Sequence, residues 1–149
     1  MKPRPVYLDV CALCRPFDDQ GYARIRLETD AVNLILEKIR EGKYAFAVSP
    51  VHRREINAIA DAFERLDLLT MLETIGKPVE VDLQTARKRA EELYQRGLGV
   101  ADAAHVAFAE QCGADFITCD DKLLKQCLRS NVVTWCGDPV LFCVKENLK

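Results

Sequence analysis

The sequence predicts an α/β protein built on a parallel sheet with helices on both faces. Three observations carry this. Short apolar runs alternate with longer segments of helical periodicity along the whole chain, and such strand–helix–strand units form parallel crossovers. The 149 residues suit a single domain, 1–149, with no repeat, low-complexity stretch or linker. With 49% hydrophobic and 30% charged residues, the composition is that of an ordinary globular protein, and the chain is long enough to bury a core without staples.

The elements follow in order. "PVYLDV" (5–10) reads as a buried strand, and "CALCRPFDDQG" as a turn or short helix and then a loop. From 22 to 41, Ile25, Val32, Ile35, Leu36 and Ile39 recur at helical spacing, and Gly42 ends the helix. "YAFAVS" (44–49) is a second strand, and Pro50 opens a helix expected to carry Ile56, Ile59 and Phe63. Another helix is expected over 66–76, closed by Gly76-Lys77-Pro78, with a brief strand at 79–81. Residues 82–97 form an amphipathic helix capped by Asp82 and stopped by Gly97. A very apolar helix (100–113), a strand (114–120), a helix (121–129) and a last strand (132–136) follow, and "DPVLFCVKEN" closes the chain as a turn or helix.

The 21 Lys and Arg against 23 Asp and Glu give a formal net charge of −2. That excludes a broad cationic surface, so any contact with nucleic acid has to be local. No apolar run approaches the roughly 20 residues needed to span a bilayer. The opening run is too short for a secretory signal. A cytoplasmic protein without membrane association is expected, and an odd count of seven cysteines fits reduced thiols there.

Four carboxylates stand in places that stability alone does not favour. Asp9 and Asp120 each end an apolar strand, and ligands of open parallel sheets sit beyond those strand ends. Asp102 lies in a helix apolar on nearly all sides, where an unpaired carboxylate is costly. Glu55 lies one to two turns into the helix that a crossover returns to the same edge. Singly, each has a structural reading: Asp120 as an N-cap, Asp102 as a first-turn acid favouring the helix dipole. Together, with no single base to answer them, they suit a hard divalent cation, Mg²⁺ or Mn²⁺.

Other residues compete for attention. Cys11 and Cys14 have C-x-x-C spacing after a strand, the setting of a redox motif, but that chemistry leaves the acids unexplained. His105, three residues after Asp102 on one helix face, reads as a core histidine or a general base; His52 has no such context. Arg15, Arg24, Arg26, Arg53, Arg54, Lys122 and Lys125 flank the proposed edge, as phosphate grips or as a solvated face; Arg53 and Arg54 beside Glu55 are the RNA-binding candidates. The apolar residues of 56–75 fit core packing or a partner surface equally well.

On these residues the chain resembles the PIN-domain nucleases, small metal-dependent ribonucleases of which many are toxins of type II toxin–antitoxin pairs. "VYLDVCALCRPFDDQ" matches the family's opening strand and acid, and Ser49 followed by Glu55 matches the second acid. "GVADAAHVAFAEQCGADFITCDDKLL" matches the third and fourth acids. "VVTWCGDPVLF" resembles the closing strand and its Asn-Pro-x-x-Phe turn, with Asp138 in place of Asn. The resemblance implies a three-layer α/β/α sandwich with a central parallel sheet. It implies that Asp9, Glu55, Asp102 and Asp120 are the catalytic acids and hold Mg²⁺ or Mn²⁺, with Thr118 and Asp121 in support. The implied reaction is hydrolysis of RNA phosphodiesters by metal-activated water; the implied partners are RNA, a small antitoxin and a second copy of the chain. Two departures stand out: Val10 where Thr or Ser is usual, and Cys14 where Asn or Ser is frequent. The competing readings are a weak or inactive binding module on the same fold and, third, a thiol oxidoreductase using Cys11 and Cys14.

Overall fold

The computed structural model describes residues 2–149. Its sheet comprises β1 (Arg4–Leu8), β2 (Tyr44–Val48), β3 (Gly76–Pro78), β4 (Asp115–Ile117) and β5 (Cys136–Gly137), all parallel, in the spatial order β3-β2-β1-β4-β5. The helices are α1 (Val10–Cys14, followed by a 3₁₀ turn at Arg15–Phe17), α2 (Ala23–Arg40), α3 (Pro50–Asn57), α4 (Ala62–Ile75), α5 (Leu83–Gln95), α6 (Val100–Gln111), α7 (Asp121–Arg129) and α8 (Pro139–Lys145).

The pleat of β1 explains the three layers. Val6 and Leu8 point to one face and join Val32 and Ile35 of α2, Leu68 and Leu72 of α4 and Phe142 of α8. Tyr7 points to the other and joins Phe116, Leu93 of α5, Val106 of α6 and Leu123 of α7. A strand covered on both faces reads as an unbroken apolar run, as "VYL" does. Each fully buried aliphatic chain here contributes about 2 kcal/mol.

The sheet grows from β1 in both directions, through β2 to β3 on one side and through β4 to β5 on the other. The order therefore reverses between β1 and β4. Leu8 lies opposite Ile117, and the Asp9 N–H donates to the Ile117 carbonyl at 3.1 Å. Crevices open at such reversal points, beyond the carboxyl ends of the strands.

The structure moves several expected boundaries. The helix expected over 66–76 starts at Ala62, capped by Asp61, whose carboxylate accepts from the Glu64 N–H at 2.9 Å. The helix from Pro50 stops at Asn57, so Ile59 and Phe63 leave it; Phe63 lies on α4, 89% exposed. The strand expected at 79–81 is formed instead by Gly76–Pro78. It is an edge strand, where proline's missing N–H is tolerated. Gly76 is needed there, since a Cβ would lie 2.5 Å from the Leu72 carbonyl oxygen. The strand expected at 132–136 shrinks to Cys136–Gly137, joined to the sheet one residue earlier by Phe116 N–H donating to the Trp135 carbonyl at 2.8 Å. Val132 packs against one core and Trp135 against the other, which is why both are apolar. The strand expected at 114–120 ends at Ile117, because Asp120 is drawn into capping α7. Among the described residues no helix is long and apolar enough to cross a membrane.

Candidate active site

Asp9 leaves β1 and caps α1. Its Oδ1 accepts the Ala12 N–H at 2.9 Å, and the residue is 3% exposed. Burial pushes the carboxyl up to about 6, against the pull of the Thr118 hydroxyl, the His105 ring and the Ala12 N–H; the Asp102 carboxylate adds to the rise. Desolvation disfavours the ionised form, and neighbouring positive or donor groups favour it.

Across the reversal point, Asp120 caps α7, with Oδ1 accepting from the Lys122 N–H at 3.0 Å and the Leu123 N–H at 3.2 Å. Buried Thr118 ties the two strand ends together. Its hydroxyl oxygen accepts the Asp120 N–H at 3.1 Å while its proton serves Asp9. Asp102 lies in the first turn of α6, half-buried. Burial raises its carboxyl above the usual range, and the negative fields of Asp120 and Glu55 raise it further while His105 opposes them.

Glu55 reaches the same place from α3. Its Oε1 accepts from Nε2 of His105, a histidine 1% exposed. The other ring nitrogen, Nδ1, lies 2.5 Å from the Tyr7 hydroxyl, and that hydroxyl lies 2.6 Å from Ser49 Oγ. A carboxylate only accepts, so the Nε2–H donates to Glu55. His52 is fixed beside this chain. Its Nε2–H donates to the Leu8 carbonyl at 2.7 Å, and its Nδ1 accepts the Ser49 N–H at 3.0 Å. Burial, with the His105 ring adding to it, pushes His52 down to about 3, so it is neutral.

Three of the four sequence-selected acids, Asp9, Glu55 and Asp102, thus meet at His105, and Asp120 joins them through the field it exerts on Asp102. Among the described residues, no lysine or arginine pairs with Asp9, Glu55, Asp102 or Asp120. Nor, among the described residues, do three or more His, Cys, Asp or Glu side chains stand close enough together to hold a metal ion by themselves. Mg²⁺ does not require such a set, because it keeps several waters and is held by one or two carboxylates. An all-oxygen donor set with unanswered negative charge fits a hard divalent cation.

The remaining candidates separate. Asp121 turns away from its neighbour Asp120 and takes both arms of Arg24, at 2.8 Å each; it is a surface ion pair. Arg53 pairs with Glu73 of α4, while Arg54 is exposed and borders a cavity of about 400 Å³ shared with Glu55, Val100 and Ala104. Arg15 and Arg24 are engaged with Glu28. Cys11 and Cys14 are both free thiols, Cys11 exposed and Cys14 half-buried. Burial and the Glu64 carboxylate push the Cys14 thiol up to about 12, the reverse of what a redox thiol needs. The residue that sequence reasoning missed is Tyr7, which read only as one of the apolar run of β1, two residues before Asp9; Ser49 was noted only for its spacing to Glu55.

Comparison with known proteins identifies the family and the fold. The sequence model of the PIN domain family matches residues 6–127. Among solved structures, the chain is similar to PAE2754 from Pyrobaculum aerophilum, at 19% identity and a TM-score of 0.56 over 97% of this chain and 96% of that one. It is similar to FitAcB from Neisseria gonorrhoeae, at 16% identity and a TM-score of 0.54 over 90% of this chain and 97% of that one. It is also similar to VapBC2 from Rickettsia felis, solved bound to a DNA fragment from their promoter, at 12% identity and a TM-score of 0.56 over 90% and 98%. No curated protein matches the sequence.

Proposed function

The chain belongs to the PIN domain family, and we propose that it is a Mg²⁺- or Mn²⁺-dependent endoribonuclease, the toxin of a type II toxin–antitoxin pair, working as one domain over residues 1–149. The observation that carries the proposal is the crowding of its acids: burial and then the fields of Asp120 and Glu55 raise Asp102, and burial and then the field of Asp102 raises Asp9. The one basic side chain that opposes this is the His105 ring, with no lysine or arginine paired to any of the four among the described residues.

In this reading Asp9, Glu55, Asp102 and Asp120 hold the ion directly or through water. Bound there, it supplies a water of lowered pKa and positive charge for the phosphodiester oxygens. Thr118 steadies Asp9 and Asp120 at fixed spacing. Arg54, exposed beside Glu55, is the phosphate contact, whereas Arg53 is already committed to Glu73. Asp121 is given no part in the chemistry. Val10 does not argue for a silent binding module: its side chain is packed in the core, and the hydroxyl beside Asp9 comes from Thr118. The likeness to FitAcB and VapBC2 supports a small antitoxin as partner, and we assign it, or a second copy of the chain, the exposed Phe63 and Leu66 on α4. The free cysteines suit the cytoplasm.

The test is cleavage of a panel of single-stranded RNAs with Mn²⁺, beside an EDTA control and Asp102→Asn. Cleavage should stop with EDTA. It should fall by about 10²–10³-fold in Asp102→Asn, the scale of losing one preorganised electrostatic group. Cleavage at the wild-type rate in Asp102→Asn refutes the assignment.

A further inference from the structure

We propose that Tyr7 and His105 are positioning residues: through a buried hydrogen-bond chain they fix Glu55 with one carboxylate oxygen engaged and the other free to meet the cation. The inference rests on the metal-dependent reading above and deepens it.

Glu55 is a long side chain on a short helix, and its side chain is 37% exposed. Left alone, such a chain samples many rotamers, and any ligand that binds it has to stop that motion. Among the described residues its one hydrogen-bond partner is His105, at Oε1, and Oε2 has none. His105 is itself immobile. It is 1% exposed, both ring nitrogens are engaged, and its ring stands edge-on to Tyr7 (centroids 5.4 Å apart) and to His52 (5.1 Å). Tyr7 sits in the central strand with no exposed surface, and its hydroxyl is held between His105 and Ser49. Ser49 begins the turn into α3, the helix that carries Glu55. The rigidity of the sheet is thereby passed through two buried side chains to a carboxylate that sits at the surface. Partners that orient a ligating carboxylate in this way typically matter by 10–100-fold in metal affinity.

The experiment reads Mn²⁺ affinity by electron paramagnetic resonance, without RNA. Tyr7→Phe, which removes one hydroxyl, should weaken Mn²⁺ binding by about 10-fold. His105→Ala should weaken it further, and His105→Gln, whose amide N–H can still reach Glu55, should recover much of that loss. In a Glu55→Ala background, Tyr7→Phe should change the affinity less than about twofold, because the group it positions is gone. Circular dichroism checks each variant's fold, and His105→Gln carries the test if Tyr7→Phe does not fold. Wild-type affinity in Tyr7→Phe, equal losses with and without Glu55, or no recovery in His105→Gln would overturn the inference while leaving the metal site standing. A wild-type protein that binds no Mn²⁺ would overturn the metal-dependent reading and this inference with it.

Discussion

Asp9 and Glu28 are buried to the same depth, each 3% exposed, and the protein treats them oppositely. Glu28 on α2 is met by Arg15 at 3.0 Å and Arg24 at 3.3 Å, and Arg24 extends the network to Asp121. Asp9 meets a backbone N–H, a threonine hydroxyl and the field of a histidine, but no full positive charge. The contrast repeats one residue apart at α7, where Asp121 is clamped by Arg24 and Asp120 keeps only backbone donors. A buried acid neutralised from within is part of the scaffold. A buried acid left unneutralised lowers stability until something outside supplies the charge, which marks it as a functional candidate.

The largest expected effect breaks the scaffold side. Arg15→Ala leaves Glu28 short of one of its two cations and should destabilise the protein by about 3 kcal/mol in urea titration, with Mn²⁺ affinity unchanged. A loss of Mn²⁺ binding there would erase the distinction between the two regions.

The next acts on Asp9. Its carboxyl is raised to about 6 in the folded chain from 3.8, so the folded state binds a proton more tightly than the unfolded one. Ionisation at pH 7 therefore costs stability in the metal-free protein. Asp9→Asn should be more stable at pH 7 by about 3 kcal/mol, the gain vanishing below pH 4, where both states are protonated. A destabilised Asp9→Asn at pH 7 would mean that the site is not strained.

The same variant exposes His52, whose folded pKa is lowered to about 3 from 6.5. There the unfolded state binds the proton first, so stability is full above 6.5 and is lost as pH falls toward 3. Between pH 7 and pH 5 the loss in Asp9→Asn should be about 2 kcal/mol. In the wild type the two groups act in opposite directions, so its profile over that range should be flatter. The smallest effect concerns the pair at α7: Asp121→Ala should leave both stability and Mn²⁺ affinity at the wild-type level, whereas Asp120→Ala should weaken the latter.

Much of the candidate site was legible along the chain. Asp9 and Asp120 stand at strand ends, and strand ends in a parallel sheet face one edge. Asp102 breaks an apolar helix, and Glu55 follows β2 by less than three turns. These are local patterns, and local patterns survive without knowledge of the fold. Thr118 was legible for the same reason, being two residues from Asp120. The misplaced strands at 79–81 and 132–136 mark the limit of that logic: at sheet edges, packing and a cap decide where pairing stops, and apolar periodicity does not.

The alternation of strands and helices, the parallel sheet, the two-faced burial of "VYL" and the acids that gather at one edge can all be read along the chain, because they depend on spacing between near neighbours. Which acids are neutralised depends on contacts between distant parts of it. Arg24 reaches Asp121 across 97 positions of chain, His105 reaches Glu55 across 50 and Tyr7 across 98. Such pairings follow from strand register and from the angle at which helices cross the sheet, and neither quantity is written in any one stretch of residues.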